Sequence, residues 1–146
     1  MKLNSLFIVA AAAGLTACAG GQDTGTAGAS AGLSVPTCGS WVVFVERPAV
    51  SSGGYQADAM QRSIVQSLSS GGCQAVTSKP AAVPSGASLL TVASMVSSTG
   101  TEGRISTLAT NSDSGAIMWR LQQTIKAGED GTAAASAIGS QLAGNL

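Results

Sequence analysis

Three cysteines carry the most distinctive chemistry in this sequence, because a thiol can be acylated, can bind a metal or can pair with a second thiol. They are Cys18, Cys38 and Cys73. The first follows an apolar amino-terminal segment, whereas the other two lie in the body of the chain. Since no two of them have the Cys-x-x-Cys spacing, a thioredoxin-like redox role is not indicated.

The other reactive residue types are sparse. Histidine is absent, which removes the commonest general base, the serine–histidine triad and most zinc sites. The carboxylates are scattered, and the adjacent pair Glu129-Asp130 lies before a predicted helix, where negative charge is favourable. Gly53-Gly54 is not followed by the Gly-Lys-Ser/Thr of a phosphate loop. The sequence therefore predicts no catalytic residue, no metal site and no cofactor.

The first residues form a secretory signal, with Lys2 followed by an apolar run from Leu6 to Ala17. That run is too short to span a bilayer, which needs about 20 apolar residues. The segment Leu15-Thr16-Ala17-Cys18 resembles the lipobox of bacterial lipoproteins. The resemblance implies that residues 1–17 are removed and that Cys18 is acylated; the alternative is an ordinary signal peptide with a chance cysteine.

Lipidation would attach the protein to a membrane, because several acyl chains together give durable anchoring. By resemblance to enterobacterial sorting rules, Ala19 in place of aspartate favours the outer membrane, on its periplasmic side or at the cell surface. Residues 18–37 then form the lipidated cysteine and a tether rich in Gly, Ala and Ser, whose 19 residues after Cys18 reach about 25 Å. Residues 38–146 are predicted to form a single small domain.

Cys38 and Cys73 are predicted to form a disulfide in this oxidising compartment. The first lies just before the first predicted strand and the second just after the first predicted helix, and a helix that returns along its strand brings these points together. They enclose 34 residues. Two buried free thiols are the alternative.

Charge excludes one class of partner. The chain has 7 basic and 7 acidic residues and no basic cluster, so binding to nucleic acid is not expected. Only 10% of the residues are charged, and a weakly charged polar surface tolerates close association with other proteins.

Hydrophobic periodicity predicts the order β-α-β-β-β-β-α. The apolar run Trp41–Val45 indicates a strand in the middle of a sheet, and Asp58 and Arg62 pair at i,i+4 on the first helix. The fold class is α+β, a mixed and mostly antiparallel sheet with two helices on one face. The predicted strands cover 41–45, 74–78, 88–97, 104–110 and 116–126, and the predicted helices cover 55–70 and 132–143.

The last predicted strand alternates between apolar and polar residues, so one of its faces belongs to the core. The apolar set should face the helices, and it comprises Ile117, Trp119, Leu121 and Ile125. The polar set, with Arg104 on the neighbouring strand, forms the opposite face. Arg104, Arg120 and Gln122 are the candidate interaction residues; a merely solvated sheet face is the alternative.

The segment Asp113-Ser-Gly-Ala-Ile-Met-Trp-Arg120, together with this element order, resembles a group of small α/β lipoprotein domains. The group includes the amino-terminal domain of TolB, the periplasmic domain of the curli secretion lipoprotein and flagellar accessory lipoproteins. The resemblance implies a scaffold without catalytic residues. The long membrane-inserting hairpins of the curli pore are missing, so pore formation is not implied.

Two functions fit these observations. The first is a non-enzymatic accessory or assembly factor of an envelope machine, bound to the membrane by its lipid and to envelope proteins or further copies of itself by its sheet. The second is a lipoprotein that holds a lipid or glycan in a pocket between helices and sheet.

Overall fold

A computed structural model describes residues 38–146. The predicted signal peptide, the predicted lipidation site Cys18 and the tether lie outside the described residues. Within the described part, no helix is long and apolar enough to cross a membrane.

Two helices and six strands follow one another along residues 38–146. The helices are α1 (Ala57–Ser70) and α2 (Thr132–Asn145). The strands are β1 (Trp41–Val45), β2 (Ala49–Val50), β3 (Gln74–Val76), β4 (Ser88–Thr99), β5 (Glu102–Asn111) and β6 (Ile117–Ile125). All seven predicted elements are present with small shifts at their ends. The two-residue β2 was not predicted, because it is too short to show any periodicity.

The strands form one mixed sheet in the order β3-β1-β4-β5-β6, which confirms the predicted fold class. β1 runs parallel to both β3 and β4, and the longer β4–β5 and β5–β6 ladders are antiparallel. β2 continues alongside β4 after the interruption at Pro48. The middle position belongs to β4 rather than to β1. At 12 residues, β4 is long enough to pair with β1 and β2 on one side and β5 on the other.

Both helices pack on one face of this sheet, as their apolar stripes predict. Met60, Ile64 and Leu68 of α1 are fully buried, as are Ile138 and Leu142 of α2. The half-buried Trp119 and Leu121 pack against the same core, so the helices lie on the predicted face of β6. Among the buried polar groups, the hydroxyls of Ser94 and Thr107 hydrogen-bond to each other at 2.8 Å.

The two helices approach each other closely at Gly139 of α2. A Cβ at this position would lie 2.7 Å from the carbonyl oxygen of Ile64 and 2.7 Å from Cβ of Ser67. Only a residue without a side chain fits this contact. The glycine at position 139 therefore allows α1 and α2 to pack this closely.

One sequence prediction about β6 is wrong. Ile117 was expected on the core face, but it pairs with Thr110 on the opposite face and is 45% exposed. The cause is a register shift at Ala109/Thr110. Ala109 pairs with Trp119, but Thr110 pairs with Ile117, so Ile117 lies on the opposite face of the sheet from Trp119. Periodicity alone does not reveal such a shift.

A disulfide joins Cys38 and Cys73, with their Cα atoms 4.7 Å apart. Both residues are 5% exposed and belong to the core. Cys38 starts a tight turn in which its carbonyl accepts a hydrogen bond from the Trp41 amide at 3.0 Å. The turn has positive φ at Gly39 (56°) and also at Ser40 (63°), which is unusual for a residue with a side chain.

Asp58 forms its ion pair across the fold rather than with Arg62. Arg47, in the segment between β1 and β2, donates a hydrogen bond from Nε to Oδ1 of Asp58 at 2.6 Å. This hydrogen bond and the positive charge of Arg47 lower the pKa of Asp58, and the charge of Arg62 also lowers it. The contact depends on how α1 lies beside β1, which local spacing does not encode.

Candidate interaction surface

The face of β4, β5 and β6 that points away from the helices is open to solvent. We call it the outer face and define it by Met95, Arg104, Leu108, Arg120 and Gln122. On each strand these exposed residues alternate with buried or half-buried ones. The outer face is therefore a direct result of placing both helices on the other side of the sheet.

Four large apolar side chains of these strands remain exposed. Met95 of β4 is 59% exposed and Leu108 of β5 is 37% exposed, while Ile117 and Met118 at the start of β6 are 45% and 41% exposed. Leu108 lies beside Ala93 on one side and Arg120 on the other. These residues give the open sheet an apolar component that solvation alone does not require.

Sequence reasoning missed this apolar component. In β4, the alternation of buried Val92, Ser94 and Val96 places Met95 on the outer face, so that signal was present. The outward position of Leu108 could also be predicted, because Leu108 and Arg104 are four residues apart on β5 and therefore lie on the same face. The exposure of Ile117 followed only from the register shift.

The three predicted interaction residues all lie on the outer face and are exposed. Arg104 pairs with Thr124, Arg120 pairs with Leu108, and Gln122 pairs with Ser106. Arg120 and Gln122 are neighbours on the same side of β6. Arg104 lies on the adjacent strand as a diagonal neighbour of Gln122, so Gln122 lies between the two arginines.

The two arginines of the outer face have no acidic partner within residues 38–146, where the one ion pair joins Arg47 and Asp58. Glu102, on the same side of β5 as Arg104, is exposed and likewise outside any ion pair of this part of the chain. The outer face thus offers unpaired guanidinium groups beside apolar side chains. Arginine beside apolar side chains is typical of protein-binding surfaces.

The adjacent carboxylates Glu129 and Asp130 have structural partners. Asp130 accepts hydrogen bonds from the hydroxyl of Thr132 at 2.6 Å and from its amide at 2.9 Å, at the start of α2. These hydrogen bonds lower the pKa of Asp130 below its ordinary value of 3.8. Glu129 accepts a hydrogen bond from the amide of Lys126 at 3.3 Å. The pair shapes the turn between β6 and α2.

Core side chains from both layers lie between the helices and the sheet. Two open depressions of about 370 Å³ and about 340 Å³ lie elsewhere, the first along the ends of the two helices and the second among the turns near Tyr55. Among residues 38–146, no group of three or more metal-binding side chains comes together. The outer face is therefore the better candidate for a functional surface.

Comparison with known proteins supports the fold. No family model and no curated protein matches this chain. A methionine variant of the PelC dodecamer from Paraburkholderia phytofirmans is similar over 75% of this chain and 92% of that one, with 17% identity and a TM-score of 0.50.

Two further solved structures have weaker similarity. A second crystal form of the same dodecamer gives 14% identity and a TM-score of 0.49, over 75% of this chain and 90% of that one. A Xanthomonas campestris protein of family DUF330 has 12% sequence identity and a TM-score of 0.46, and the similarity covers 71% of this chain and 82% of that one. At these identities the similarity concerns the fold.

Proposed function

We propose that this protein is a lipid-anchored, non-enzymatic accessory protein of the bacterial envelope that assembles with copies of itself and binds envelope proteins through its outer face. The lipid on Cys18 holds it to the periplasmic side of the outer membrane. The tether of residues 19–37 lets the domain meet partners away from the lipid surface. No cofactor, metal or nucleic acid takes part.

The observation that carries the proposal is the contrast between the two sides of the sheet. The inner side is covered by the two helices, whose apolar side chains pack against it, so binding is directed to the outer side. There, Met95 and Leu108 are exposed near Arg104 and Arg120, which form no ion pair within residues 38–146. An apolar centre with arginine around it is the composition of a binding surface.

Self-association is supported by the solved protein of similar fold, which is a dodecamer. The low fraction of charged residues, 10% of the chain, reduces the repulsion that keeps copies apart. The lipid anchor is supported by the lipobox resemblance around Cys18. A lipid- or glycan-binding function has less support, because the space between helices and sheet is occupied by core side chains.

The anchor is tested by growing cells with radiolabelled palmitate. The wild-type protein should take up label and sediment with the outer membrane, whereas Cys18→Ser should remain unlabelled and be found as a soluble or uncleaved form. A wild-type protein that takes up no label would remove the anchor from the proposal.

The outer face is tested by Leu108→Asp, with Gln66→Asp on the exposed side of α1 as the matched control. Both variants should fold, but Leu108→Asp should melt below the control because Leu108 is only 37% exposed and aspartate is disfavoured in strands, so complementation is compared at a temperature at which both are folded. Only Leu108→Asp should fail to complement the envelope defect of a deletion strain. Equal complementation by both variants would exclude the outer face, and loss of function from alanine at one carboxylate would indicate catalysis instead.

A further inference from the structure

The three methionines of residues 38–146 differ sharply in their access to solvent. Met95 of β4 is 59% exposed and Met118 near the start of β6 is 41% exposed, whereas Met60 of α1 is fully buried. Oxidants that reach the sulfur of a methionine convert its thioether to a sulfoxide. Met95 also has the largest exposed fraction among the large apolar side chains of this part of the chain. It is therefore the methionine most open to oxidation.

Met95 lies at the centre of the outer face. In the β4–β5 ladder it pairs with Ser106, so Arg104 and Leu108 are its diagonal neighbours on β5. Diagonal neighbours of an antiparallel pair lie about 7–8 Å apart, which is within reach of long side chains. Met95 thus has an apolar neighbour in Leu108 and a hydrogen-bond donor in Arg104, which forms no ion pair within residues 38–146.

We propose that oxidation of Met95 by hypochlorous acid switches the outer face from a binding to a non-binding state. This inference rests on the outer face of the proposed function and names the residue through which that surface is regulated. In the reduced state, the thioether of Met95 and the side chain of Leu108 form one apolar patch. In the oxidised state, the sulfoxide oxygen accepts a hydrogen bond from the guanidinium of Arg104.

The reaction is a two-electron oxidation of the sulfur atom. One molecule of hypochlorous acid supplies the oxygen, so its oxygen–chlorine bond breaks and a sulfur–oxygen bond forms. The chlorine takes up the two electrons and leaves as chloride, and the proton goes to water. Solvent access to the sulfur is the main structural requirement of this step, and the exposed side chain of Met95 meets it.

The sulfoxide changes the surface that a partner meets. It converts an apolar side chain into a polar one, and a polar group is costly to cover unless it keeps a hydrogen bond. Its hydrogen bond with Arg104 also removes a donor that the free guanidinium offers to a partner. Both changes weaken binding to the outer face.

Peptide mapping by mass spectrometry tests the oxidation site. The purified full-length protein in detergent is treated with a low molar ratio of hypochlorous acid, with free methionine in a parallel sample to confirm the dose. The peptide of Met95 should gain one oxygen atom, about 16 Da, whereas Met60 should react only after unfolding. A folded protein in which Met95 stays reduced while free methionine is oxidised would overturn the site.

Complementation of a deletion strain, with and without sublethal hypochlorous acid, tests the switch. The strain carries the wild type, Met95→Leu or the matched control Met118→Leu, and each treated culture is compared with its own untreated culture. Oxidant should abolish complementation by the wild type and by Met118→Leu, and Met95→Leu should keep its untreated level. Equal loss in the wild type and Met95→Leu would overturn the switch.

Met95→Gln tests the switch without any oxidant, because its amide carbonyl places a hydrogen-bond acceptor near the position of the sulfoxide oxygen. This variant should fold, as its melting temperature will show, and should complement poorly in untreated cells. Full complementation by Met95→Gln would mean that a polar group at this position does not weaken the outer face, which would overturn the proposed mechanism.

Leu108→Asp separates this inference from the proposed function. Complementation by Leu108→Asp equal to that of its control would remove the outer face as the functional surface and would overturn both. Failure of Leu108→Asp, with the wild type and Met95→Leu equally sensitive to oxidant, would leave the outer face in place and overturn the switch. Failure of Leu108→Asp together with protection by Met95→Leu would support both.

Discussion

Removal of the disulfide should destabilise the domain strongly. Cys38 and Cys73 are separated by 35 positions, and the chain-entropy model gives about 3.8 kcal/mol for closing a loop of that length. Residues 38–146 should lose about 0.23 kcal/mol of stability per degree near the melting temperature, at roughly 2.1 cal/mol/K per residue. Cys38→Ala/Cys73→Ala should therefore melt about 16 °C below the oxidised protein.

The measurement is thermal unfolding followed by circular dichroism, with and without reductant, on protein purified from an oxidising compartment. Every version carries Cys18→Ser, so that the parent has only Cys38 and Cys73 and the double variant has no cysteine. Reductant should lower the melting temperature of the parent and leave that of the double variant unchanged. A double variant that melts within about 3 °C of the oxidised parent would refute the reasoning, as would two free thiols in the denatured parent.

Three further predictions concern the packing and the pH response. Gly139→Ala should lower stability by about 1–3 kcal/mol, because its Cβ overlaps α1, whereas Gly144→Ala on the same helix, with nothing within 4 Å, should not destabilise it. Ser94→Ala should cost about 1–3 kcal/mol by leaving the buried hydroxyl of Thr107 unpaired, and Ser94→Ala/Thr107→Val should recover most of that loss. Asp130→Asn should lower the melting temperature at pH 7. Folding lowers the pKa of this carboxyl, so the ionised carboxylate stabilises the folded state above pH 3.8 and this stabilisation is lost as the pH falls through the pKa of the folded state. The difference in melting temperature between the wild type and Asp130→Asn should therefore become smaller at low pH.

Chemical denaturation checks the first two predictions, and melting curves over a pH series check the third. Equal stabilities of the two glycine variants would contradict the close helix contact. A double variant less stable than Ser94→Ala alone would contradict the hydroxyl pairing. A difference at Asp130 that persists unchanged at low pH would show that the carboxylate charge is not its source.

The sequence by itself determined seven of the eight helices and strands of residues 38–146, the pairing of the cysteines and the side of the sheet that the helices cover. These features depend on local patterns. Met60, Ile64 and Leu68 recur at helical spacing, and Trp119 and Leu121 alternate with polar neighbours, so the buried side of each element is visible in the chain. The positions of Cys38 and Cys73 next to the ends of a strand and a helix made their proximity predictable.

Only the tertiary structure decided the order of the strands, the exposure of Ile117 and the partner of Asp58. Each depends on contacts between residues distant in sequence. The central place of β4 depends on pairings with β1 and β5, and a register shift between β5 and β6 moves Ile117 to the outer face. Arg47 reaches Asp58 only after α1 has packed beside β1. Periodicity specifies which side of an element is apolar, but strand pairing specifies what lies next to it, and so the exposure of Ile117 became visible only in the folded chain.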